Sequence, residues 1–127
     1  MAGEQRSRKI SGFAADYVRT DENENVEAQA KYYAGSVHFY GEGDLSWARI
    51  AAATQRYHRN SHQRRYVLSH ANIRGPVDGG FWVVDQPFTW TKSDGARART
   101  GRSVLRMRVI AVGRGNFKIT SVEQVSR

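Results

Sequence analysis

The sequence predicts an α+β domain, with three N-terminal helices packed on one face of an antiparallel sheet. Three observations carry this. As far as about Arg59, apolar residues recur mainly at spacings of three and four, interrupted by one short alternating run. From Arg65 onward the period is two, over four long stretches divided by glycine-rich turns. The 127 residues, 39% hydrophobic and 25% charged, supply one globular core and are too few for two ordinary domains.

Residues 1–8 are polar and basic and read as a flexible tail, which leaves 9–127 as the single domain. Ile10, Phe13, Ala14, Tyr17 and Val18 form the first helical stripe. The cluster from Thr20 to Asn25 ends it with turn formers and possible caps. A second helix follows through Val26, Ala30 and Tyr33, with acidic residues near its start, as the helix dipole favours. Ser36 to Tyr40 alternates as a short strand and stops at Gly41-Glu42-Gly43-Asp44. A third helix runs from Trp47 to about Arg59 on the stripe Trp47, Ile50, Ala51, Thr54 and Tyr57. Four long strands then follow: Arg65–Arg74, Phe81–Thr91, Arg99–Val112 and Phe117–Val125, the last two joined by the hairpin signal Gly113-Arg114-Gly115-Asn116. Pro87 removes a ladder donor, so a bulge or an edge is expected there.

The composition excludes several classes. With no cysteine there are no disulfides, thiolate metal sites or cysteine nucleophiles. No run approaches the ~18 apolar residues of a membrane span. Neither glycine pair, Gly41/Gly43 nor Gly113/Gly115, opens a helix as a phosphate loop does, and no cofactor fingerprint is present. Lys and Arg outnumber Asp and Glu 20 to 12. Such a balance admits nucleic acid, acidic proteins or anionic surfaces as partners, beside the plainer reading of a basic solvated surface. Neither a helix-turn-helix nor a single-strand aromatic motif is found, so nucleic acid ranks below an acidic protein partner.

Several residues together resemble a family. Val37-His38-Phe39-Tyr40-Gly41, Leu45-Ser46, Arg64-Arg65-Tyr66 and Gly101-Arg102-Ser103 are similar to a nuclear transport factor 2-like module. The version resembled stands at the C-terminal ends of larger bacterial proteins, some of them caspase-like peptidases. The likeness covers roughly residues 10–125. It implies a cone, in which a strongly curved sheet wraps the helices and leaves a pocket at its open end. It also implies frequent homodimers through the outer sheet face. Relatives commonly carry a Trp-Pro pair where this chain has Ser61-His62. The superfamily includes isomerases, dehydratases, hydrolases and many non-enzymes, so the fold does not give the function.

Pocket chemistry in this superfamily uses a carboxylate or histidine in an apolar cavity, with a tyrosine donor. The candidates are Asp85 or His38 as base and Tyr17 or Tyr40 as donor; Asp85 has an alternative life as a hydrogen-bonded residue beside Pro87. Tyr17, Tyr33, Trp47, Tyr57 and Phe81 are the expected pocket aromatics, weighed against service as plain core or rim. His58 and His62 share a helix face, but Arg59 follows and the local charge is positive, so no metal site is expected. On the third long strand Leu105, Met107, Val109 and Ala111 face one way and Val104, Arg106, Arg108 and Ile110 the other. The first set is wholly apolar, so Arg106 and Arg108 project outward. With Arg65, Arg74, Trp82 and Trp90 they are the expected interface or partner-binding set.

These observations favour a non-catalytic accessory or interaction module, homodimeric, with a pocket of small-ligand size and a small apolar ligand or an acidic protein as partner. A small pocket enzyme of the isomerase, dehydratase or hydrolase type is the alternative. An assembly component of a secretion or conjugation apparatus is the third reading.

Overall fold

The computed structural model describes residues 2–22, 26–60, 64–77, 80–94, 97–113 and 115–126, without the side chains of 2–5, 22, 57–60, 94 and 126. Helix α1 (Ala2–Glu22) carries the expected stripe, with Ile10, Ala14, Tyr17 and Val18 buried. It also takes in residues 2–8, ahead of the stripe. The second helix is short. A single α-helical turn, α2 (Val26–Gln29), tightens into a 3-10 turn at Ala30–Tyr32, and Tyr33 already belongs to strand β1 (Tyr33–Phe39). A two-residue strand β2 (Asp44–Leu45) pairs back on β1 before helix α3 (Trp47–Asn60). Among the described residues the strands that follow are β3 (Arg64–Leu68), β4 (Asn72–Val77), β5 (Phe81–Asp94), β6 (Arg97–Ala111) and β7 (Phe117–Ser126). The α+β class therefore holds, although α3 follows two strands.

The seven strands among the described residues form one sheet in the order β2-β1-β7-β6-β5-β3, with β4 also paired to β5. Two expectations change. The sheet is mixed, because β1 runs parallel to β7, the first strand beside the last. Nor is it strongly curled.

The stretch expected as one strand over 65–74 is two, β3 and β4, and both pair with β5. Their handover stands beside Pro87, whose carbonyl accepts from the Ser69 N–H at 3.0 Å. The buried Gln86 side chain donates to the Ser69 carbonyl at 2.7 Å and to that of Pro87 at 3.0 Å. The missing proline donor thus falls where the neighbouring ladder is already interrupted, its least costly place.

The core lies between the helices and one sheet face. Ile10, Ala14 and Val18 of α1 and Ile50 of α3 meet Val84, Met107, Val109, Ile119 and Val122 of the sheet. Each fully buried side chain of this size contributes about 1.5–3 kcal/mol over its exposed state. On β6 the expected alternation holds from Leu105 to Val109, with Leu105, Met107 and Val109 buried and Arg106 and Arg108 outward; beyond that it departs, since Val104 is buried and Ala111 exposed.

Candidate functional site

Toward one end the apolar core gives way to a cavity of about 360 Å³. Its walls come from α1 (Tyr17, Val18, Asp21), α3 (Ala53, Thr54), β1 with its following turn (Tyr33, Phe39, Tyr40, Glu42) and the inner sheet face. That face contributes Tyr66 of β3, Phe88, Trp90 and Lys92 of β5, and Leu105 of β6. The spacing of two along β5 places Phe88, Trp90 and Lys92 on one side, continuing the buried series Trp82, Val84 and Gln86.

Two polar pairs stand in this aromatic setting. The Tyr17 and Tyr33 hydroxyls are hydrogen-bonded at 2.6 Å with their rings edge to face. Burial, then the charges of Tyr33 and Tyr40, pushes the Tyr17 hydroxyl well above the ordinary tyrosine range. Burial raises Tyr33 as well, against a smaller lowering from its hydrogen bond to Tyr17. Both are therefore neutral, and the pair has one O–H to share internally and one to give elsewhere. The second pair joins Tyr66 to Asp21, the Tyr66 hydroxyl donating to Oδ2. Asp21 is further held by Arg64, whose Nη2 donates to the Asp21 carbonyl at 2.6 Å and whose Nε lies 3.7 Å from Oδ2. The arginine side chain is fully buried and Asp21 is 24% exposed, so the cavity receives a carboxylate whose charge is partly compensated.

Of the residues expected from sequence to form the pocket, Tyr17 and Tyr33 do so. Tyr40 joins them from the rim, in a left-handed backbone conformation with φ of 49°. Trp47 packs behind the wall on the Tyr33 ring at 5.9 Å. Phe81 lies on the opposite sheet face under the Arg108 guanidinium, 5.0 Å from its ring centre. The Tyr57 and His58 side chains, and Ser61 and His62 entirely, fall outside the described residues.

Both expected bases lie away from the cavity. Asp85 is on the outer sheet face, opposite Arg106, which grips it through Nε at 2.8 Å and Nη2 at 3.2 Å; Arg74 stands 3.6 Å away. Its hydrogen bonds raise the Arg106 proton affinity. His38 is exposed on β1, 3.6 Å from Asp44. Of the expected interface set, Arg65, Arg74, Arg106 and Arg108 do share the outer side, but Trp82 is buried in the core and Trp90 lines the cavity. Among the described residues no group of three His, Asp or Glu could hold a metal.

Asp21, Tyr66, Thr54 and Lys92, together with Gln29 of α2, line the cavity without having been named as site residues from sequence. Asp21 sits in a run of turn formers, where a capping role accounts for it fully. The missed signal was alternation on β5: with Trp82 and Val84 inward, Trp90 and Lys92 follow onto the same face, and so does Tyr66, which stands opposite Trp90.

No protein-family model matches the chain, and no curated protein does. Solved structures do. A nuclear transport factor 2-like superfamily protein from Salmonella enterica serovar Typhimurium superposes with a TM-score of 0.81 at 14% identity, over 98% of this chain and 92% of its own. A protein from Catenulispora acidiphila in complex with S-DNPA gives 0.77 at 13% identity, over 98% and 93%. A nuclear transport factor 2-like protein with a cystatin-like fold from Novosphingobium aromaticivorans gives 0.73 at 16%, over 94% and 80%. At such identities the likeness speaks to fold alone, and on that it agrees with the element order: the chain has the nuclear transport factor 2-like, cystatin-like fold.

Proposed function

We propose that the protein is a small-molecule-binding module whose cavity takes one apolar, ring-bearing ligand. The observation that carries this is an aromatic chamber of about 360 Å³ containing the Tyr17–Tyr33 hydroxyl pair and the Asp21 carboxylate. Small-molecule sites have this make-up: a few hundred cubic ångströms, mostly apolar walls and a few convergent polar groups. The complex of the similar Catenulispora protein with S-DNPA supports it. The test is a fluorescence titration with a hydrophobic ring probe. Wild type is expected to bind one equivalent saturably, and Ala53→Phe, which fills the cavity from α3, to bind at least tenfold more weakly while keeping its helical circular dichroism. Equal binding by both proteins would dispose of the reading.

Asp21 favours a second reading, a pocket enzyme in which this carboxylate, rather than Asp85 or His38, takes a proton. A neutral tyrosine would then stabilise the developing oxyanion. In that case Asp21→Asn abolishes turnover of a bound substrate while the ligand still binds. The proposal also has a second copy of the chain pack on the outer sheet face, around the exposed Arg108.

A further inference from the structure

Beside the cavity the sheet register assembles a row of three cationic residues, of which Lys92 lines it. Arg64 of β3 stands opposite Lys92 of β5, and Lys92 stands opposite Arg99 of β6. Residues directly opposite in an antiparallel ladder share a face. Here it is the inner face, since the adjacent row is Tyr66–Trp90–Gly101, and Tyr66 and Trp90 are both cavity wall.

The three cations are used differently. Arg64 is buried and engaged with Asp21. Lys92 lines the cavity with its ammonium 5.1 Å from the centre of the Trp90 ring. Arg99 is exposed, and among the described residues its side chain has no ion pair or hydrogen-bonded partner. Glu42, in the turn between β1 and β2, also lines the cavity and carries the opposite sign.

Gly101 sets the position of the Trp90 ring. A Cβ at that position would come within 2.4 Å of the Trp90 ring, so only glycine lets the indole lie flat on β6. Any larger residue forces the ring off this position.

We propose that the ligand is an organic anion. Its apolar rings fill the aromatic interior, and its carboxylate, sulfonate or phosphate group rests at the mouth between Lys92 and Arg99, turned away from Glu42. This rests on the small-molecule-binding reading. The placement is physically economical: a charge at a half-solvated rim keeps part of its hydration and still gains charge-assisted hydrogen bonds, whereas one carried inside would be stripped of water.

The test uses two probes that share a ring system, 1-anilinonaphthalene-8-sulfonate and the uncharged N-phenyl-1-naphthylamine. Wild type is expected to bind the sulfonate about tenfold more tightly at low salt, with the gap closing as salt rises. Lys92→Gln/Arg99→Gln is expected to bring the two probes to the same affinity. Arg99→Gln alone, at an exposed position that does not threaten folding, is expected to remove part of the gap. Equal affinity in wild type, or a sulfonate preference that survives both variants, overturns the proposal while leaving the cavity reading intact. Failure of wild type to bind either probe, or undiminished binding of both by Ala53→Phe, brings down the cavity reading and this proposal with it.

Discussion

Two aspartates on opposite sides of the same sheet are each held by arginine, and the settings differ. Asp85 lies on the outer face, gripped in bidentate fashion by Arg106, with Arg74 nearby; those arginines are 41% and 56% exposed. Water competes for every one of these bonds, so the cluster organises a surface more than it stabilises a fold. Asp21 occupies the last turn of α1, where the helix dipole disfavours a negative charge. It is kept there by a fully buried arginine and a tyrosine hydroxyl. The inner pair therefore has to be complete, since removing one member leaves the other desolvated. The same chemistry serves as surface trim on one face and as a structural tie on the other, and only the tie borders a cavity.

The sharpest way to break this contrast is to remove the cation from each side. Arg64→Met should lower the free energy of unfolding by about 3 kcal/mol, the lower end for a broken buried pair because Asp21 keeps some contact with water. Arg106→Gln should cost only a small fraction of that. Urea unfolding of the two variants measures both, and equal losses would mean that the outer pair is far better shielded than its exposure indicates.

The contrast also explains what could be read from sequence. The Ile10–Val18 stripe and the Leu105/Met107/Val109 series were legible because burial on a helix or strand is periodic and one face of each is purely apolar. Strand β5 was ambiguous, because Phe81 and Val83 on one face rival Trp82 and Val84 on the other. With that face undecided, Asp85 remained a candidate base and Trp82 and Trp90 were set among the outer arginines. Asp21 could not be found locally. Its partners Arg64 and Tyr66 lie more than 40 residues away, and nothing in a run of turn formers announces a long-range tie. The β3/β4 break was hidden too, since Arg65 to Arg74 alternates without a breaker and the interruption comes from contacts with Gln86 and Pro87.

A smaller effect tests the cavity interior. Tyr17→Phe or Tyr33→Phe should each cost about 1 kcal/mol, and the double variant little more than one single change, because either alone already removes the shared hydrogen bond. The pH dependence has a definite sign. Both hydroxyls have folded-state values raised above the unfolded value of about 10. Above that pH the unfolded chain releases protons that the folded protein retains, so stability is complete below about pH 10 and declines above it. Urea midpoints between pH 9 and 11 should fall for wild type and fall less for Tyr17→Phe/Tyr33→Phe. Parallel curves would show that the pair ionises in the folded state as freely as in the unfolded one.

The smallest effect on stability is expected on the outer face, where the readout is assembly. If a second copy packs there, wild type sediments as a dimer and Arg106→Glu/Arg108→Glu as a monomer. Arg108→Glu alone is the cleaner variant. Arg106 is tied to Asp85 and stands opposite Glu123, so a glutamate in its place sets three carboxylates in one row and disturbs the monomer itself. Arg108 is exposed and its described interaction is with the Phe81 ring, so reversing its charge acts on whatever packs against the face. A monomeric wild type, or a dimer that survives Arg108→Glu, removes the outer face as the seam. If that variant is monomeric and keeps its probe affinity, assembly and ligand binding are separate properties of the two sides of one sheet.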